Sequence, residues 1–353
     1  MMPKKKNPTI YDVAEISGVS ISTISRVLNS PDKVNSETHK RVMQAIDRLG
    51  FVPKAEARAR AMRHTGRIGV ITPFFTAPSF VQRLRGVASV LSKSNYELVI
   101  YPVDSMELLQ GYISSIPVMK NIDGLIIMSL AISNQDVQRL IDNGIGTALI
   151  EYQHPQLNSI TINDYDGGRL AAEHLIKKGH RNIGFLGDIE PPERLAIHPV
   201  KSRLMGFQKT LNDAGISISK SNIRSAPYTQ EESRQAAYEL LSLPKPPEES
   251  RQAAHELLSL PKRPTAIFAA SDVQALVLMK VARQLNIKVP DDLAVIGFDD
   301  IDVAEHVDLT TIRQHLDESG RLAAEILLAR ISESQRPLQH INLPLNLIER
   351  QTT

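Results

Sequence analysis

From Arg67 onward, short apolar runs alternate with amphipathic stretches, and this alternation restricts the fold more than any other feature of the chain. Runs at 67–72, 96–101, 124–128, 147–150, 160–162, 182–186, 266–269 and 294–298 have strand length and composition. Helical spacing of apolar residues fills 81–94, 168–178, 201–214 and 272–285 between them. Strands that alternate with helices pair in parallel through right-handed crossovers, so the class is α/β. So many strands over about 280 residues suit two sheets better than one. In such folds ligands bind beyond the carboxyl ends of the strands, here in a cleft between two lobes.

Several classes are excluded by composition. The chain has no cysteine, so disulfides, thiolate metal sites and cysteine nucleophiles are absent. No window reaches the roughly 18 apolar residues of a membrane span, and no apolar segment follows the N-terminal lysines as in a secretory signal. A cytoplasmic protein is expected. The charge is unevenly placed: residues 1–66 hold 12 Lys/Arg against 6 Asp/Glu, so a head of +6 in a chain of net +2 leaves −4 for the rest. A basic head on a mildly acidic body either meets a polyanion or is simply well solvated.

Residues 9–50 read as three short helices. Thr9 and Asp12 have capping-box spacing, and the first helix runs to about Ser17 before Gly18. Ser20 can cap a second helix with Ile24, Val27 and Leu28 on one face. Ser36 is expected to cap a third, with Val42, Met43, Ile46 and Leu49 at helical spacing. A helix-turn-helix needs a small residue at its tight turn and a second helix whose polar face is free to enter a groove. Gly18 supplies the first, and Ile21, Ser22 and Arg26 lie off the apolar stripe. An arginine there can donate two hydrogen bonds to a guanine edge. An ordinary helical hairpin carrying one arginine has the same spacing.

Residues 51–66 form a basic, alanine-rich connector after Pro53, too short to hold a helix alone in water. Further on, EESRQAAYELLSLPKPP (231–247) is followed at once by EESRQAAHELLSLPKRP (248–264), a tandem copy. A crossover needs only one such helix. One copy is expected on the sheet and the other as a protruding helix, so that removal of 231–247 leaves folding and ligand binding intact.

The string TIYDVAEISGVSISTISRVLN resembles the DNA-binding headpiece of the lactose-repressor (LacI/GalR) family, where TIxDVAxxAGVSxxTVSRVLN is usual. The similarity continues through VPKAEARARAM, TGRIGVI, GGRLAAEHLIKKGHRNIGFLG, RLMGF, TAIFAASDVQAL, VPDDLAVIGFDDI, LTTIRQ and LPLNLIERQTT. The resemblance implies a helix-turn-helix headpiece (1–50), a hinge helix or linker (51–66) and a two-lobed, periplasmic-binding-protein-like core (67–353) of parallel sheets flanked by helices. It places the N-subdomain at about 67–163 and 312–340, and the C-subdomain at about 164–311 and 341–353. It implies a transcriptional regulator, most simply a repressor. The partners implied are a pseudo-palindromic operator, a sugar or nucleoside effector and a second copy of the chain. Because the chain closes on LPLNLIERQTT, without the heptad helix of some members, a dimer is expected.

Carried over by position, Ile21, Ser22 and Arg26 would read bases. Ser20, Thr23, Ser25 and Asn29 would hold phosphates with support from Tyr11, and Ala57 and Arg60 would sit in the minor groove. The usual hinge leucine is Arg60 here. An arginine suits a narrow minor groove where a leucine wedges a step apart, so the operator is kinked less than in the family, or Met62 substitutes, or Arg60 contacts a phosphate. Effector contacts would be Phe80, Glu151, Arg203, Tyr228, Ser271, Asp299 and Gln314. No catalytic residues, metal or cofactor are expected. His174 and His180 lack metal spacing, no nucleotide loop follows a strand, and the pairs Asp299–Asp300 and Asp291–Asp292 point apart with nothing nearby to tune them. The rival readings are a doubly wound enzyme and a free solute-binding protein.

Overall fold

The first helix begins where a hydroxyl and a carboxylate stand three residues apart. In the computed structural model, which describes residues 8–29, 34–49, 51, 64–189, 197, 199–225 and 263–353, the Asp12 carboxylate accepts from the Thr9 amide (2.6 Å) and hydroxyl (2.7 Å). Residues 1–65 and 66–353 are two compact units.

In the first unit, α1 (Ile10–Ser17) ends at Gly18, whose φ of 65° is open to glycine at little cost. Ser20 caps α2 (Ile21–Asn29) by accepting from the Thr23 amide at 3.2 Å. For α3 (Ser36–Leu49) the cap is not Ser36 but Asn35, whose Oδ1 accepts from the Thr38 amide at 2.7 Å. Asparagine and serine are equally good caps, and the hydrophobic period does not separate adjacent candidates. Val13, Ile24, Val27, Val42, Ala45 and Ile46 form the core. Met43 faces outward because Ala45 completes the stripe.

The second unit holds two six-stranded sheets. The first contains β1 (Arg67–Thr72), β2 (Glu97–Pro102), β3 (Gly124–Met128), β4 (Gly146–Ile150), β5 (Asn158–Thr161) and β11 (His340–Asn342), in the order β11-β5-β4-β3-β1-β2. The second contains β6 (Ile183–Gly187), β7 (Ile223–Ser225), β8 (Ala266–Ala269), β9 (Ala294–Asp299), β10 (Thr310–Arg313) and β12 (Asn346–Ile348), in the order β12-β10-β9-β8-β6-β7. Pairing is parallel except for β10 with β12. Strands β3, β6, β8 and β9 are buried along their whole length, as expected when helices cover both faces. Among the described residues the chain crosses between lobes three times. Two crossings lie a few residues from their expected places. Arg313 still pairs with Asp299 in the second sheet, and Asn342 still pairs with Thr161 in the first, so the return falls after 313 and the last crossing after 342.

In each lobe one helix pair is fastened by glycines. In the first, α4 (Pro78–Leu91) packs on α11 (Leu316–Ser332): a Cβ on Gly86 would lie 2.0 Å from the Asp317 carbonyl oxygen, and one on Gly320 would lie 1.9 Å from that of Arg83. In the second, α7 (Asp164–Lys177) packs on α8 (Pro199–Asp213): a Cβ on Gly168 would lie 1.8 Å from the Arg203 carbonyl oxygen, and one on Gly206 would lie 1.9 Å from that of Tyr165. Backbones this close exclude every residue but glycine.

The tandem copy up to residue 262, the hinge residues Ala57, Arg60 and Met62, and Tyr228 lie outside the described residues; 226–262 joins β7 to β8. No helix of the described residues is long and apolar enough to cross a membrane.

Candidate functional site

Two surfaces gather the expected residues. On α2, Ile24 and Val27 are buried, which turns Ile21, Ser22 and Arg26 outward as an exposed row. Ser20 is exposed and its hydroxyl lies 2.7 Å from that of Ser22 and 2.9 Å from that of Thr23, so the three form one polar edge at the helix start. Tyr11 projects from α1 with 69% of its surface exposed. Ser25 is half-buried.

The second surface lies where β3, β4 and β9 end, at the carboxyl edges of both sheets. Glu151 follows β4, Asp299 closes β9 and Gln314 follows β10. A continuous polar chain links them across the two lobes. Arg83 of α4 donates to the Glu151 carboxylate, and the Ser129 hydroxyl donates to the other Glu151 oxygen. Arg83 also donates to Gln314 Oε1 at 3.0 Å, and the Gln314 amide donates to Asp299. On the second lobe, Arg203 donates to Asp164 Oδ1 (2.8 Å) and to the Ala270 carbonyl (2.6 Å), and its guanidinium lies 3.5 Å from the centre of the Phe298 ring. Phe80 sits in the first lobe with the Arg83 guanidinium 5.5 Å from its ring centre.

The structure thus brings Glu151, Asp299 and Gln314 into one network, while Arg203 and Phe80 flank it with contacts of their own. Ser271 stands at the head of a helix. Its hydroxyl caps the helix α9 (Asp272–Gln284) by accepting from the Gln274 amide. Three polar residues of the cleft escape sequence reasoning: Arg83, Ser129 and Asp164. A signal for Arg83 exists. RLRG (83–86) echoes RLMG (203–206), and GRLAAE occurs at both 168–173 and 320–325. The copies occupy matching positions in the glycine-fastened helix pairs. Arg169 bonds Asp166 and Glu173 just as Arg321 bonds Glu318 and Glu325. Arg83 is the counterpart of Arg203 in the other lobe.

Asp272 supports the site from beneath. It is fully buried, accepts from the Thr311 hydroxyl at 2.5 Å and from the Ile301 amide at 2.9 Å, and fills the space where Gly297 would carry a side chain. This holds the turn at Asp299 and Asp300, both at positive φ (122° and 59°). Asp300 is clasped by Arg313 (2.6 Å) and Arg350 (2.8 Å). The expectation that nothing nearby tunes Asp299 is therefore corrected. Burial pushes Asp299 up to about 6, against the opposing pull of Arg203, Arg83 and the Gln314 hydrogen bond. Burial, with the charge of Asp299 next, raises Asp272 too. Asp164 is also raised by burial, with Arg203 opposing.

The raised pKa of Asp299 makes stability depend on pH. The folded chain holds this proton more tightly than the unfolded chain, so the group's contribution is most favourable in acid. It is lost as pH rises from about 4 through about 6. Asp299→Asn is expected to raise unfolding free energy by up to about 3 kcal/mol at pH 7.5 and by little at pH 4. Urea denaturation at four pH values checks this; a gain independent of pH contradicts it.

Both parts of the chain match known protein families. Residues 9–54 match the family described as bacterial regulatory proteins, lacI family. Residues 65–250 match the periplasmic binding proteins and sugar binding domain of the LacI family, and 172–353 match a periplasmic binding protein-like domain. The chain is 30% identical to the HTH-type transcriptional repressor PurR of Photobacterium profundum over 98% of both chains. Its structure resembles that of the Lac repressor dimer bound to operator and an anti-inducer (25% identity, 99% of each chain, TM-score 0.75). It also resembles a transcriptional regulator CelR–cellobiose complex (26% identity, 98% and 100% of the two chains, TM-score 0.66).

Proposed function

The chain belongs to the lacI family of bacterial regulatory proteins, and on that premise we propose that it binds a pseudo-palindromic operator as a homodimer and releases or tightens its hold when a small polar effector occupies the cleft. The carrying observation is the exposed row Ile21, Ser22 and Arg26 on a helix whose opposite face is locked by Ile24 and Val27. That row reads base edges, while Ser20, Thr23, Ser25, Asn29 and Tyr11 hold the backbone in register. Phe80, Arg203, Asp299 and Gln314 contact the effector, a sugar or nucleoside-like molecule, and Glu151 stands beside them on Arg83. The solved relative bound to cellobiose supports a polyhydroxylated ligand.

The coupling runs through the lobes. Polar links already join them: Gln314 bridges Arg83 to Asp299, and Asp302 of the second lobe accepts from Gln82 (3.1 Å) and Arg85 (2.7 Å) of the first. An effector that exchanges partners within this set changes the relative angle of the lobes. The coupling is reciprocal, so the factor by which effector changes operator affinity equals the factor by which operator changes effector affinity. No catalytic step is assigned to the cleft.

Gel shifts with genomic fragments at several salt concentrations test the reading. A fragment-specific shift that weakens steeply with salt is expected. Absence of any preference over random duplex contradicts it. Arg26→Ala is expected to cost about 1–3 kcal/mol on the specific fragment and to leave random-duplex binding nearly unchanged.

A further inference from the structure

We propose that the effector carries a carboxylate, and that this group takes the place of Glu151 on Arg83; the proposal rests on the reading of the cleft as the effector site. Arg83 is 2% exposed, and its Nε–H is buried without a hydrogen-bond partner. Its Nη2 serves both Glu151 and Gln314. The Nε–Nη2 edge of a guanidinium carries two parallel N–H groups that match the two oxygens of one carboxylate. Glu151 uses only half of that edge, because its second oxygen is held by the Ser129 hydroxyl. The edge is a carboxylate receptor filled by a one-toothed stand-in.

Glu151 is also the half of the pair built to leave. Its side chain is 14% exposed against 3% for Arg83. Its backbone stands at φ 66°, in the left-handed region that a side chain of this size adopts only under constraint. The cavity beside it, lined by Arg83, Glu151, Thr161, Gln314 and Ser319, measures about 10 Å³, enough for about one water. A ligand reaching the Arg83 edge must therefore move Glu151. An arginine stripped of its partner in a buried setting is strongly destabilised, so the incoming group has to be anionic. With Arg203 and Asp299 left for hydroxyl groups, the ligand class is a polyhydroxylated acid, such as a uronate or aldonate.

Calorimetric titration of the full-length dimer with D-glucuronate, D-galacturonate and D-gluconate, beside D-glucose, D-galactose, inosine and acetate, tests the proposal. At least one acid is expected to bind tenfold or more tightly than every neutral probe and than acetate. Glu151→Gln removes the competing carboxylate and is expected to tighten acid binding severalfold, a change that a purely structural Glu151 would not produce. Arg83→Lys, with folding checked by circular dichroism, is expected to weaken acid binding tenfold or more. Neutral probes that bind as tightly as the acids, no binding by any acid, or weaker acid binding in Glu151→Gln overturns it. Gel shifts on the same preparation separate the two readings. A chain that discriminates among fragments but prefers a neutral probe keeps the regulator reading and loses the acidic effector. A chain that discriminates among none loses the regulator reading.

Discussion

Gly168→Ala is expected to lower the unfolding free energy by about 3–5 kcal/mol and to weaken effector binding at the same time. The new Cβ would lie 1.8 Å from the Arg203 carbonyl oxygen and 2.8 Å from the Phe207 amide nitrogen, both main-chain atoms that cannot rotate away. Carbon–oxygen contacts close only to about 3.3 Å, so α7 and α8 have to separate by more than an ångström. That opens the contact over which Phe207 packs against Phe185 and Phe268, with ring centres 6.1 and 5.1 Å away. It also carries Arg203 away from Asp164 and Ala270. Urea denaturation and effector titration measure the two losses. Gly111→Ala is the control: it lies inside a helix (Met106–Met119) with nothing within 4 Å of a new Cβ, and is expected to gain about 0.5–1 kcal/mol. A Gly168→Ala protein within about 1 kcal/mol of wild type, close to the error of the extrapolation, contradicts the close-approach argument.

Asp272→Ala is expected to cost about 2–4 kcal/mol, because it strands two buried donors, the Thr311 hydroxyl and the Ile301 amide. The left-handed turn at 299–300 then loses its anchor, so the orientation of Asp299 suffers as well. Asp272→Asn separates hydrogen bonding from charge. Burial and the neighbouring Asp299 already hold this carboxyl above the usual carboxylate range, so a neutral isostere surrenders little. The asparagine variant should retain most of the stability at pH 7 and most of the effector affinity. Asparagine keeps one accepting oxygen for the Ile301 amide and can donate to the Thr311 hydroxyl, so equal losses in the two variants would show that the site requires the carboxylate itself. Denaturation and titration of both proteins in one buffer decide between these outcomes.

Strands β1, β3 and β8 occupy the same residues that apolar runs predict, 67–72, 124–128 and 266–269. Each is a fully apolar or nearly apolar segment between polar breaks, which is a local signal. Strands β7, β10, β11 and β12 give none, because they span three or four residues of mixed polarity and become strands only through their partners. The same division runs through the site. Arg203, Asp299 and Gln314 stand within recognisable motifs. Arg83 shows only through the echo of RLMG in RLRG, because an arginine on a helix is ordinarily solvated and nothing local marks this one as buried. Yet Arg83 is buried and Arg85 is half-exposed.

Period, cap chemistry and turn residues act within a few positions of chain. They were enough to place the three N-terminal helices and the alternation of strands with helices, and the motifs added the helix-turn-helix reading and the identity of most residues expected to face a ligand. Which strands meet, where the chain crosses between lobes and which charges lose their water depend on residues far apart in the chain. Asp272 meets Thr311 and Ile301 only once the second sheet has formed, and Arg83 meets Gln314 only once the two lobes have met. Desolvation is a property of that closure, so the weakened acidity of Asp299 and Asp272 and the half-used edge of Arg83 emerge from packing and have no local counterpart.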